Sequence, residues 1–278
     1  MRHRPDPRRR SLPSRFSADS AGEFESPRRK SEPAADILFQ DDDYVIVNKS
    51  AAAWIDEPLD DSPCVQDALV AAGVMTGDHN ASPVYPLEPG LSGVALLART
   101  PRAIEAANDT ILSDGLHLTC RAIVQAHLLT REGVIPGPVP QRLRSGPALR
   151  YLDACAGEPH TAWTMVDALV AFAVIDCRPF PAYPSLVRAH LELAGMPLAV
   201  DPAFGGARSL MLSSFKSGYH PSRRHAERPL ISRTSLHVHR IAFTHPFTRQ
   251  PVQLEARPPK DFRATLHQLD RFGRIAKG

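Results

Sequence analysis

The stretch "VYPLEPGLSGVALLART" (residues 84–100) joins a tight turn to a strand. Pro89-Gly90 supplies the turn, because proline presets φ and glycine accepts conformations closed to other residues. The run "GVALLART" (93–100) is short, continuous and apolar, which predicts a buried strand. At the apex sits Glu88, between Pro86 and Pro89. A carboxylate on a stiff turn leading into a buried strand is placed as a catalytic group would be. The nearby "GLSG" (90–93) does not make a serine nucleophile. A hydrolase elbow needs G-x-S-x-G, and here glycine follows the serine directly.

Working outward, "ILFQDDDYVIVNKS" (37–50) is a pair of apolar runs around Asp41-Asp42-Asp43 and predicts a β-hairpin. "CVQDALVAAGVM" is helical, and the polar loop "TGDHNASP" follows it. "PRAIEAANDTILSDG" (101–115) has proline at the first helical position and glycine just beyond the end, a punctuated helix. "LTCRAIVQAHL" (118–128) predicts a strand, and 133–147, crowded with Gly and Pro, predicts loop. "TAWTMVDALVAFAVIDCRP" (161–179) suggests two strands in a hairpin, and "YPSLVRAHLELAG" (183–195) an amphipathic helix closed by Gly195. "SLHVHRIAFTHP" (235–246) and "QPVQLEARPP" are strands, and "PKDFRATLHQLDRFG" (259–273) is a closing helix. Strands and helices in irregular order indicate an α+β fold with a mixed, mostly antiparallel sheet and flanking helices and loops.

The chain has 278 residues, 43% apolar and 23% charged, with 27 prolines. That suits a soluble domain with a sizeable core and many turns. No run of 18 apolar residues exists to cross a membrane as a helix. The four cysteines are widely spaced with no C-x-x-C, so neither a zinc site nor a disulfide framework is expected, and a reducing cytoplasm is the default. The net charge of +3 is uneven: residues 1–34 hold nine basic and five acidic residues, and the other 24 basic and 25 acidic residues leave the body at −1. Residues 1–34 are therefore expected to form a basic, disordered tail and residues 35–278 the folded domain. Such a tail adds sequence-independent affinity for phosphates.

Two further motifs carry less. "LHVHR" (236–240) puts His237 and His239 on one strand face, but two ligands do not make a metal site, and exposed strand histidines are expected. "FGG" (204–206) lacks the Lys-Ser/Thr of a phosphate loop and is a turn.

Taken in order, these segments resemble the RluA-type pseudouridine synthases from about residue 36 to 270. "ILFQDDDYVIVNK" is similar to the family's opening strand pair, with Ser50 where Pro usually follows Asn-Lys. "YPLEPGLSG" (85–93) lies where the family has H-R-L-D-x-x-T-S-G. "LTCRAIVQA" (118–126) resembles the K-x-Y-x-A-x-V strand. "YPSLVRAHLELAGMPLAVDPAFGG" (183–206) resembles R-x-H-Q-I-R-V-H-L-x-x-x-G-x-P-I-x-G-D-x-x-Y-G. The segment 235–262 is similar to the closing L-H-A-x-x-L-x-F-x-H-P and P-x-D-F. The resemblance implies the pseudouridine synthase fold and an isomerase that modifies RNA. Such enzymes cleave the N–C1′ bond of uridine, turn the base and rejoin it through C5, after the target leaves its stack.

Carried over position by position, the family's catalytic Asp falls on Glu88, its active-site Arg on Arg188 and its base-packing Tyr on Cys120. Its His-Arg approach falls on Tyr85 and Pro86, and its Arg-x-His-Gln on Tyr183, Pro184, Ser185 and Leu186. Scaffold positions such as Leu87, Ser92, Gly93, His190 and Asp201 match. Tyr85, Tyr183 and Ser185 are the residues expected at the RNA, and Glu88 and Arg188 are expected to form an ion pair. Glu88 keeps the charge with about 1.5 Å of extra reach. A misplacement of about 1 Å costs on the order of 10²-fold in rate, and losing an aromatic face costs about 1–3 kcal/mol per stacked base. The resulting expectation is an RNA-binding synthase domain with a degenerate active site, impaired or inactive. Two alternatives stand beside it: an active synthase using Glu88, and a pocket repurposed for a small ligand without RNA. The resemblance implies ribosomal or transfer RNA as partner, no metal or organic cofactor, no membrane, and a monomer.

Overall fold

The Asp41 carboxylate closes the first turn. Its Oδ1 accepts the N–H groups of Asp43 at 2.8 Å and Tyr44 at 2.7 Å, the side-chain turn that favours Asp at such positions. The strands on either side, β1 (Ala35–Gln40) and β2 (Tyr44–Lys49), pair antiparallel as their apolar runs predict. The computed structural model describes residues 33–55, 62–75, 81–126, 128, 130–137, 157–219 and 226–273. All but the last two residues of the expected tail lie outside these, as does the loop segment from 138 to 147.

Helix α1 (Val65–Ala71) follows, then the short β3 (Ser82–Pro83) and β4 (Ser92–Ala98). Helix α2 (Pro101–Leu112) starts at Thr100, whose hydroxyl accepts the Ala103 N–H, with Pro101 at the first position. Ala103, Ala107 and Ile111 are its buried stripe. Strand β5 (Leu116–Val124) is followed by β6 (Glu132–Pro136), β7 (His160–Ala168) and β8 (Ala173–Phe180). Helix α3 (Pro184–Leu193), β9 (Leu236–Thr244), β10 (Pro251–Glu255) and α4 (Lys260–Phe272) complete the chain. One expectation is corrected: residues 133–136, read as loop from their Gly and Pro content, form part of β6. Pro136 is tolerated because β6 ends the strand order and pairs only with β7.

The strands form one sheet in the order β1-β2-β4-β9-β5-β8-β7-β6, with β3 on β4 and β10 on β9. Among these strands only β4 and β9 pair in parallel, at Ser92 with His237 and Gly93 with Val238. Gly93 has φ +114°, and a Cβ there would sit 2.1 Å from the Val238 carbonyl oxygen. Glycine alone admits that approach. Every residue of β4 is buried, which is why its sequence shows no alternation. Tyr44, wholly buried, satisfies its one polar atom by donating to the Ala103 carbonyl at 2.8 Å. The larger core lies between the sheet and α1, α2 and α3, and a smaller one, around Ile123, Val174, Phe262 and Leu269, is covered by α4.

Candidate active site

Between β3 and β4 the chain is pinned on both sides of Glu88. Leu87 and Leu91 are buried, the Leu91 N–H returns to the Glu88 carbonyl at 3.1 Å, and Gly90, at φ +89°, makes the turn. The Gly90 N–H donates to the Ala51 carbonyl at 2.8 Å. That turn is held by the buried Lys49 amine, which donates to the carbonyls of Ser50 and Ala53 at 3.0 and 2.7 Å. Arg233 Nη1 reaches the Gly90 carbonyl at 3.4 Å while its guanidinium grips Asp261 of α4 at 2.8 and 2.9 Å. With its neighbours anchored, Glu88 projects its side chain outward, 40% exposed.

The structure brings Glu88 and Arg188 together. Arg188 Nη1 donates to Glu88 Oε2, and its Nε and Nη2 donate to the two oxygens of Asp201 at 2.7 and 2.9 Å. The guanidinium also stacks over Phe204, 4.4 Å from the ring centroid. Burial opposes the Arg188 charge, yet Asp201 and Glu88 outweigh it and its pKa remains raised. Asp201, with a side chain only 1% exposed, is the most deeply buried member of this trio. Sequence reasoning placed Asp201 in the scaffold and did not foresee its grip on Arg188, because 13 residues and a turn separate the two.

Ser185 also has a different place from the expected one. It is wholly buried, and its Oγ donates to Glu88 Oε1 at 2.8 Å. It touches the carboxylate rather than a surface open to RNA. The available signal was its position three residues before Arg188 on one helix, which puts both on the same face. Tyr85 is likewise buried, with its hydroxyl donating to the Val94 carbonyl at 3.0 Å, so it serves the core and presents no face to RNA. Cys120 is wholly buried in the same core, opposite Cys177 on β8, and burial pushes both thiols far up. Tyr183 is partly buried at the start of α3, packed on Leu186, Ala189 and Phe204. Burial and then the nearby Glu88 charge push its phenol up to about 12.

The histidine pair needs correction. His237 is wholly buried: one ring nitrogen lies 3.0 Å from the Ala256 carbonyl, which can only accept, so Nε2 carries the proton. Its Nδ1 therefore accepts from the Ser92 hydroxyl at 3.0 Å. His239 is half-buried and turns Nδ1 toward the same carbonyl at 3.3 Å. These contacts tie β4 and β9 to the chain after β10 and leave no pair of lone pairs for a metal. A second cluster brings together Asp41, Asp43 and His245. His245 Nδ1 accepts the N–H groups of Phe247 and Thr248, and its Nε2 lies 2.9 Å from Asp41 without forming an aligned hydrogen bond. Arg102 holds Asp43 at 3.0 and 2.8 Å. A cavity of about 260 Å³ lined by His117, Phe243 and Val252 shares no residue with the Glu88 site.

No family model matches the chain. Among curated proteins, it is 26% identical over 247 residues to ribosomal large subunit pseudouridine synthase D of Neisseria meningitidis, covering 86% of this chain and 62% of that protein. It is 24% identical over 243 residues to ribosomal large subunit pseudouridine synthase C of Salmonella typhi, covering 84% and 69%. The chain thus spans about three-fifths of the length of the first of these relatives. Among solved structures, human RNA pseudouridylate synthase domain containing 4 superposes with a TM-score of 0.61 at 18% identity, covering 84% of this chain and 92% of that one. Human RNA pseudouridylate synthase domain containing 1 gives 0.53 at 16%, covering 81% and 84%. Along most of its length the chain is thus similar in sequence to the ribosomal large subunit pseudouridine synthases, and it shares the fold of the solved RNA pseudouridylate synthase domains.

Proposed function

We propose that this protein binds RNA and isomerises uridine to pseudouridine with Glu88 as the acting carboxylate, at a rate well below that of a site with Asp and a stacking Tyr. The supporting observation is the hold on Glu88: each carboxylate oxygen receives one donor, Ser185 or Arg188, while 40% of the side chain stays open. A carboxylate oxygen has two lone-pair sites, so each keeps one for the sugar or base. Arg188 is itself fixed by Asp201, so the donor pair stays in place during reaction. Glu88 either adds to C1′ as the N1–C1′ bond breaks and is displaced when C5 bonds to C1′ after the base turns, or takes a sugar proton as N1 leaves and returns it when C5–C1′ forms; in both cases the C5 proton then leaves and N1 gains one.

A second reading, RNA binding without catalysis, draws on Cys120. Its wholly buried thiol offers no ring to stack on an extruded base, a loss of about 1–3 kcal/mol. The test incubates the full chain with unmodified ribosomal and transfer RNA transcripts and maps new pseudouridines, beside Glu88→Gln and Glu88→Asp. Product from the parent that Glu88→Gln abolishes supports the first reading. Product from Glu88→Asp alone, or from no variant while RNA is still bound, overturns it in favour of the second.

A further inference from the structure

We propose that Ser185 is a positioning residue that makes a glutamate workable at position 88, an inference that rests on Glu88 being the acting carboxylate. Helix α3 offers two donors three residues apart to the two oxygens of one carboxylate. Ser185 Oγ takes Oε1 at 2.8 Å and Arg188 Nη1 takes Oε2. Neither donor can drift. Ser185 is wholly buried in the first turn of α3, and its single hydroxyl proton is committed to Glu88. Arg188 is locked from its other edge by the bidentate bonds to Asp201 and from its face by Phe204.

The arrangement answers the problem that the longer side chain creates. A glutamate has one more rotatable bond than an aspartate, and a loose one samples more rotamers. Holding both oxygens fixes the carboxylate plane as well as its distance from the helix. An aspartate at position 88 would end about 1.5 Å nearer its own backbone, beyond simultaneous reach of both donors. Ser185 is therefore matched to Glu88 and indifferent to the shorter acid. It touches no substrate atom and acts only through the carboxylate.

The experiment is a double-mutant cycle of Ser185→Ala in the parent and in Glu88→Asp, read by pseudouridine formation and by urea unfolding of the full chain. In the parent, losing a hydrogen bond to a charged group lowers kcat about tenfold with KM within about twofold, and raises the unfolding constant about fivefold. In the Glu88→Asp background both changes fall below about twofold, because the hydroxyl has nothing to hold. Equal losses in the two backgrounds, or no loss in the parent, overturn the proposal. If no variant makes pseudouridine, the synthase reading fails by itself. The unfolding cycle then decides alone: coupling between positions 88 and 185 supports the matched pair, and additivity overturns it.

Discussion

Acidification acts on this fold through His237. Burial pushes its imidazole down to about 4, the Ala256 carbonyl partly opposes this, and His239, Arg233 and Arg121 add to the depression. In the unfolded chain the same group titrates near its ordinary value of about 6.5. Above pH 6.5 the ring is neutral in both states and its full contribution to stability is present. As pH falls from 6.5 toward 4, the unfolded chain takes up a proton that the folded one refuses, so stability is lost. At about 1.4 kcal/mol per pH unit, the loss reaches about 3 kcal/mol by pH 4. The assay is urea unfolding of the parent and His237→Gln at half-unit steps from pH 7.5 to 4. Glutamine keeps a donor and an acceptor but does not titrate, so the difference between the two proteins isolates His237. That difference should shrink or reverse by about 3 kcal/mol across the range. Two parallel curves would refute the reasoning, because they would mean that the buried ring takes up its proton as readily as in the unfolded chain.

Replacing Asp201 with Asn keeps its shape and removes the charge facing the buried Arg188. Urea unfolding should show a loss of about 3 kcal/mol, and pseudouridine formation should fall with it because the guanidinium holding Glu88 is no longer fixed. Cys120 and Cys177, whose thiols burial pushes far up, should resist iodoacetamide at pH 8 in the native protein. Mass spectrometry should find them alkylated only after urea is added, and native labelling at Cys120 would contradict its placement in the core.

The fold was legible in the sequence because its signals are local. Thr100-Pro101 starts a helix, the Asp41 turn closes a hairpin, and the unbroken apolar run of β4 marks a buried strand. The Glu88–Arg188 contact was legible from the order of the family's motifs. Its surroundings were not, because burial is a three-dimensional quantity. Tyr85 and Ser185 fall on motif positions that the family turns to RNA, and only the packing of α3 and β4 encloses them here. His237 was misjudged for the same reason: alternation along β9 gives its face but not what covers that face, here the chain after β10. Gly133 and Pro136 suggested a loop because composition does not say that a strand lies at a sheet edge.

The parallel pairing of β4 against β9 also divides ownership of the site. The loop bearing Glu88 enters from the strands on one side of that pairing, while Ser185, Arg188 and Asp201 belong to the side built around β5, β7 and β8. The carboxylate and its holders are thus contributed by opposite flanks of one sheet, and the parallel pairing between them includes a close approach that only glycine at position 93 permits. Neither flank has a complete site of its own. A substitution at Gly93 would therefore move the carboxylate relative to its holders as well as disturb the sheet.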